Sequence, residues 1–334
     1  MALHGKHNAI TDVAGIMVGN FTSPEAASGV TVILCQEDAI AGVDVRGSAP
    51  GTRETDLLAP CNLVERVQAV VLTGGSVYGL STADGVVRWL AGKGRGFPLQ
   101  DGHVAPIVPA AALFDLGRGK EYVPPVGPEW GRIACESARS GPVPAGNVGA
   151  GTGAVAGGIK GGLGTASEIL DSGITVGALV AVNSLGSVIS PVTGIPWEIH
   201  MEIDGELGPL ARTAVRLPEA TETVSSTNTT IGVVACDAVL TKAQAQKVAQ
   251  MAHDGLARSI RPSHTMFDGD TLFSLATGKR ALPETPGFFA APMAVSVNEV
   301  GRAAADCLSR AIIRAVVEAS SSGNFSALRD LEPL

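Results

Sequence analysis

The chain has 334 residues, 45% hydrophobic and 17% charged, which is ample for a large core and argues against disorder. Its formal net charge of -8, with no basic stripe, argues against nucleic acid as a partner and leaves a small molecule or peptide. No continuous run of about 20 apolar residues is present, so no membrane span is expected. The N-terminal MALHGKHNAITDVAG lacks the apolar centre of a secretory signal, so the reading is a cytoplasmic protein.

In chain order, residues 29–34 (GVTVIL) and 39–45 read as strands, and 68–72 as a short buried strand. The last runs into Thr73-Gly74-Gly75-Ser76 and a helix-like stretch over 77–90, with Ser76 a candidate N-cap. Such a glycine turn can present main-chain N–H groups to an anion, or simply pack a helix close to a sheet. Residues 107–116 are apolar, 119–130 loop-like and 131–140 helical. The glycine-rich stretch 141–164 is not a phosphate-binding P-loop, because Gly161 follows Lys160 where a Ser or Thr would hold magnesium. It reads either as a pocket wall presenting Lys160 or as a surface loop with a solvated lysine.

Residues 174–182 (ITVGALVAV) form the longest strand-like run and end at Asn183-Ser184, which suits either a directed amide or a plain turn. Residues 193–216 are irregular. The polar run 225–230 (SSTNTT) leads straight into the strand-like 231–236 (IGVVAC). By itself it is what a solvated loop looks like. An Asn228–Thr229 bond at a strand edge is also a candidate self-cleavage site. Cleavage there would put a hydroxyl nucleophile and an α-amine of pKa about 7.7–8.0 on one residue. Residues 242–260 have the period of an amphipathic helix, with His253 read as structural; 272–276 read as a strand and 300–319 as a second long helix. The tail 320–323 is expected to be loose.

The five cysteines, Cys35, Cys61, Cys135, Cys236 and Cys307, form no CxxC pair and read as reduced, mostly buried small hydrophobes. Six histidines occur without HxxxH spacing, so neither metal nor cofactor is expected. Asp268-Gly269-Asp270 starts like a calcium loop but lacks the later ligands, and no GxSxG elbow exists. Alone, this pair of aspartates reads as a turn before a strand. Beside Thr229 it is also suited to orienting a hydroxyl and an ammonium.

Five segments carry a family resemblance: 8–19 (NAITDVAGIMVG), 72–80 (LTGGSVYGL), 147–165 (NVGAGTGAVAGGIKGGLGT), 228–238 (NTTIGVVACDA) and 264–273 (HTMFDGDTLF). Together they resemble the self-processing peptidases that include the L-aminopeptidase/D-esterases, the β-peptidyl aminopeptidases and the endo-type nylon-oligomer hydrolases. The paired aspartates and the Asn-Thr junction are closest to the nylon-oligomer branch; the aminopeptidase branch tends to carry a serine and a glutamate around that glycine.

The resemblance implies a single four-layer α/β/β/α sandwich of the N-terminal-nucleophile type, cut into chains 1–228 and 229–334. It implies Thr229 as nucleophile, Asn183 as oxyanion donor, and Lys160, Asp268 and Asp270 in supporting roles. It also implies no cofactor, a small peptide or oligoamide substrate, and a homo-oligomer, a tetramer of processed units. Phe114 falls where the nylon branch has a tyrosine; Tyr78, beside Gly75, is a candidate substitute, and all three are candidate pocket residues. The alternatives are acyl transfer of the ornithine acetyltransferase type and an uncleaved, non-enzymatic binding protein.

Overall fold

A computed structural model describes residues 3–218, 228–284 and 291–334. Residues 225–227 of the polar run lie outside the described residues. The main strands are β1 (Ile16–Ser23), β2 (Ser28–Val45), β3 (Arg66–Thr73), β4 (Ala110–Ala112), β5 (Gly162–Ile169), β6 (Thr175–Asn183), β7 (Thr229–Ala238) and β8 (Thr271–Arg280). The main helices are α1 (Thr82–Ala91), α2 (Pro128–Ser137), α3 (Lys242–Ser259) and α4 (Ala294–Val317).

The strand order is β5-β6-β7-β8-β2-β3-β4, with β1 also paired to β2 and a short edge strand, Gly51–Arg53, on β4. One strand joins two sheets. Residues 40–45 of β2 pair with β8, residues 28–35 with β1, and residues 30–34 and 39–40 with β3. The β2–β3 register breaks between Leu34 and Ala39, where a bulge lets the strand turn from one sheet into the other.

Three apolar clusters show how the layers stack. Side chains alternate along a strand, and Val176, Ala178, Val180 and Val182 of β6 pack with α3 and α4. Leu179 and Ala181 face the other way and meet Ile33, Val70 and Leu72 of β2 and β3. The outer face of that second sheet, Val30, Val32, Ala69 and Val71, packs on Val86 and Leu90 of α1 and Ala134 of α2. Each sheet is therefore covered on both faces, which gives the α/β/β/α sandwich. α4 lies close on β5 because Gly164 has no side chain: a Cβ there would sit 2.0 Å from the Ala311 carbonyl oxygen. α3 starts at a capping box, in which Thr241 Oγ1 accepts the Gln244 N–H and Gln244 Oε1 accepts the Thr241 N–H. It forms the crossover that makes β7 and β8 parallel.

Several expectations change. The two strands read at 29–34 and 39–45 are one strand, continuous through polar residues 36–38. The helix over 77–90 is broken into a single turn, Ser76–Gly79, and α1; Ser76 is not a cap but lies inside that turn at φ +53°. Only three residues of 107–116 form a strand. β1 and β5 were not anticipated, because glycine and polar residues hide their periodicity. The tail 320–323 is tied down: Ser320 N–H donates to Asn147 Oδ1 at 3.0 Å, and Ser321 Oγ pairs with Asp330 and accepts the Ala327 N–H.

Candidate active site

β6 and β7 end side by side. Their antiparallel register sets Asn183 directly opposite Thr229, and directly opposed residues send their side chains to one face. By alternation this is the face between the sheets, where Ala181 and Ile231 also point. Thr229 is 5% exposed and Asn183 fully buried. Thr229 Oγ1 donates to the Asn228 carbonyl oxygen at 2.5 Å. The same oxygen accepts the Gly269 N–H at 3.2 Å.

The Asp268-Gly269-Asp270 loop enters this site by pairing with the chain ahead of β7, through a parallel bridge between Asn228 and Asp268. Asp270 Oδ1 accepts the Thr230 N–H at 2.8 Å, and its Oδ2 accepts the His264 N–H at 3.0 Å and lies 2.8 Å from His264 Nδ1. Asp268 Oδ2 accepts the N–H and the hydroxyl of Thr265, at 2.9 and 2.5 Å. Its Oδ1 is buried with no hydrogen-bond partner among the described residues. Gly269 is required where it stands: a Cβ there would lie 2.7 Å from the Ala49 carbonyl oxygen and 3.0 Å from Thr229 Oγ1.

The opposite side of the site is cationic. Asn183 Nδ2 donates to the Phe114 carbonyl at 3.1 Å, while its Oδ1 accepts the Val155 N–H at 3.1 Å and an N–H of Arg118. Lys160 is 2% exposed. Its ammonium donates to the carbonyls of Ala154, Gly161 and Gly151 at 2.7, 3.0 and 3.3 Å. The solvated-lysine reading of this segment is therefore set aside. Burial, with the Arg118 charge nearby, lowers its pKa to about 7 against a smaller opposing pull from Asp115. Burial likewise raises Asp115 to about 6, opposed by the hydrogen bond from Gly75.

The glycine turn does bind an anion, but one from within the protein. Gly75 N–H donates to Asp115 Oδ1 at 2.6 Å, and Ser76 N–H to the Leu113 carbonyl at 2.9 Å. Phe114 meets Asn183 through its carbonyl, and its ring is half-buried. Tyr78 is 53% exposed on the turn beyond. His253 is fully buried, with Nε2 on the Asp44 carbonyl at 3.0 Å and its ring edge-on to His264; burial lowers its pKa to about 4. Burial pushes the thiols of Cys35, Cys135 and Cys236 up to about 12, which keeps them protonated and unreactive near neutral pH. Cys61 is exposed.

Sequence reasoning missed Arg118, Asp115 and His264 as parts of this site. Nothing near Arg118 signals that it will meet Asn183. His264 carried a usable signal, a histidine six residues before Asp270 in a loop too short for the two to separate far.

The family model for peptidase family S58 matches residues 8–327. The chain belongs to peptidase family S58. An "Uncharacterized aminopeptidase" of Mycobacterium tuberculosis is 47% identical, with 98% of each chain covered. The 6-aminohexanoate-oligomer endohydrolase of a Kocuria species is 28% identical, covering 93% of this chain and 86% of that one. The solved L-aminopeptidase D-Ala-esterase/amidase of Ochrobactrum anthropi, described as a variant of the Ntn-hydrolase fold, superposes with a TM-score of 0.73 at 25% identity, covering 97% of this chain and 90% of that one. This S58 chain is thus an amide-bond hydrolase on an Ntn-hydrolase fold. Among the described residues no group of three or more His, Cys, Asp and Glu could hold a metal, and no helix is long and apolar enough to cross a membrane.

Proposed function

We propose that this chain cuts itself between Asn228 and Thr229 and then hydrolyses small peptide or oligoamide amides through an acyl-enzyme on Thr229. The observation that carries the reading is the 2.5 Å contact of Thr229 Oγ1 with the carbonyl oxygen of the preceding peptide, whose oxygen also holds the Gly269 N–H. A hydroxyl folded back on its own peptide bond is placed for attack on that carbonyl carbon. The Gly269 N–H is placed to stabilise the oxyanion that would form.

In processing, Oγ1 bonds to the Asn228 carbonyl carbon, the C–N bond breaks, and the hydroxyl proton goes to the departing Thr229 nitrogen. Water then hydrolyses the ester, leaving the Asn228 carboxylate and a Thr229 with a free α-amine. In turnover that amine takes the Oγ1 proton as the hydroxyl attacks a substrate amide, and returns it to the leaving amine; water then cleaves the Thr229 ester, releasing the acid and restoring the hydroxyl. Asn183 Nδ2 is the oxyanion donor. Asp268 and Asp270 hold the chain on either side of the nucleophile, and Lys160 keeps the glycine-rich wall in place through its three carbonyls. No cofactor enters these steps. A homo-oligomer of processed units is part of the same reading.

The test is a denaturing gel with N-terminal sequencing of the purified protein, followed by assay on aminoacyl p-nitroanilides and linear 6-aminohexanoate oligomers. Two fragments, the shorter beginning at Thr229, are expected. A single full-length band in wild-type protein that still hydrolyses these amides would refute self-processing.

A further inference from the structure

We propose that Arg118 is a positioning residue that locks the Asn183 carboxamide so that Nδ2, and not Oδ1, is the end left for the oxyanion. The proposal rests on the reading of Thr229 as nucleophile. The two ends of a carboxamide are nearly equal in shape, so its partners decide its orientation. A guanidinium and a main-chain N–H can only donate. Arg118 Nη1 and the Val155 N–H both point at one atom of Asn183, so that atom must be the acceptor Oδ1. Nδ2 is thereby turned to the other side. One of its hydrogens goes to the Phe114 carbonyl, and the other has no protein acceptor among the described residues.

Without Arg118 a flip would be opposed only by the Val155 N–H on Oδ1 and the Phe114 carbonyl on Nδ2, both neutral main-chain partners. A flipped amide would present an acceptor where the reaction needs a donor. The guanidinium also polarises the amide it touches, which strengthens Nδ2 as a donor.

Arg118 is itself held from two further directions. The same Nη1 donates to the Gly153 carbonyl at 2.6 Å, and the guanidinium lies 5.9 Å over the Phe325 ring. Burial lowers its pKa to about 10, so it remains a charged donor at neutral pH. The contact joins the loop after β4, the glycine-rich wall and the end of β6, which are 35 and 65 residues away from Arg118 in the chain. A lysine would keep the charge but not the planar fork.

The experiment compares processed wild-type, Arg118→Met, Arg118→Lys and Asn183→Ala proteins, and the Arg118→Met/Asn183→Ala double variant, on an aminoacyl p-nitroanilide. The concentration of processed enzyme is set from the gel. In Arg118→Met, kcat is expected to fall about tenfold or more, with KM within about threefold. Arg118→Lys should recover part of the loss. In the Asn183→Ala background the Arg118→Met effect should vanish, as a residue acting through Asn183 requires. A kcat within twofold of wild type in Arg118→Met, a loss confined to KM, or full additivity with Asn183→Ala would overturn the proposal. If Arg118→Met does not fold, Arg118→Lys and Arg118→Gln are judged by the same kcat and additivity criteria. Thr229→Ala separates the two readings. If it retains activity, the nucleophile assignment falls; if it is inactive while the Arg118 variants match wild type, only the Arg118 proposal falls.

Discussion

The two sides of Thr229 are built differently. On the acidic side, Asp268 and Asp270 take hydrogen bonds from Thr265 and His264, three to six residues away, and from Thr230 at the start of β7. On the cationic side, Arg118 reaches Asn183 across 65 residues of chain, and buried Lys160 and Asp115 lie within reach of the same guanidinium. The acidic side is a local loop clamped to a strand, whereas the cationic side exists only after three distant segments have packed. Each side is fragile in its own way. The acidic loop should be sensitive to single changes of geometry, and the cationic cluster to changes of charge.

The largest expected effect lies at the junction of the two. Thr229→Ala should abolish processing and lower amide hydrolysis by about a thousandfold or more, measured by gel and by initial rates. On the acidic side, Asp270→Ala removes the acceptor for two main-chain N–H groups and His264. It should cost about 3 kcal/mol in denaturant unfolding of an unprocessed Thr229→Ala background. A loss below about 1 kcal/mol would mean that this side is not the clamp the geometry describes. Gly269→Ala should slow self-cleavage about tenfold, because its Cβ collides with the Ala49 carbonyl and crowds Thr229 Oγ1.

The effect expected on the cationic side depends on pH. The folded-state pKa of Lys160, about 7, lies below the ordinary 10.5. The unfolded chain therefore binds more protons between those values, and stability rises with pH across that window. The penalty for burying this lysine is full below about pH 7 and gone above about 10.5. In the same Thr229→Ala background, wild-type Lys160 should gain stability relative to Lys160→Met between pH 7 and 9.5, read by urea midpoints. A flat difference would remove Lys160 from the buried cluster.

Much of the layer architecture was legible because it rests on periodicity. The helices at 242–260 and 300–319 and the strands at 174–182, 231–236 and 272–276 all have their apolar residues at the spacing of the element they form. Where glycine replaces apolar residues, as at the start of β5, the alternation is lost and no strand is expected. At the Gly74-Gly75 turn the sequence leaves open both an anion site and close helix packing; the carboxylate that meets its N–H, Asp115, comes from 40 residues further along the chain. Lys160 was named, but its burial was not, since a lysine among glycines reads as solvated until the carbonyls of Gly151 and Ala154 are seen around it.

By itself, the sequence determined the elements with clean periodicity, the polar junction ahead of β7, and the Asp268-Gly269-Asp270 loop, whose hydrogen bonds mostly close within a few residues. Short closures of this kind depend on local chemistry and cost little chain entropy. Only the tertiary structure decided that Asn183 stands opposite Thr229, that Arg118 turns its amide, and that Lys160 and Asp115 are buried beside it. Those outcomes depend on strand register and on contacts between distant segments, where burial rather than spacing sets charge and orientation.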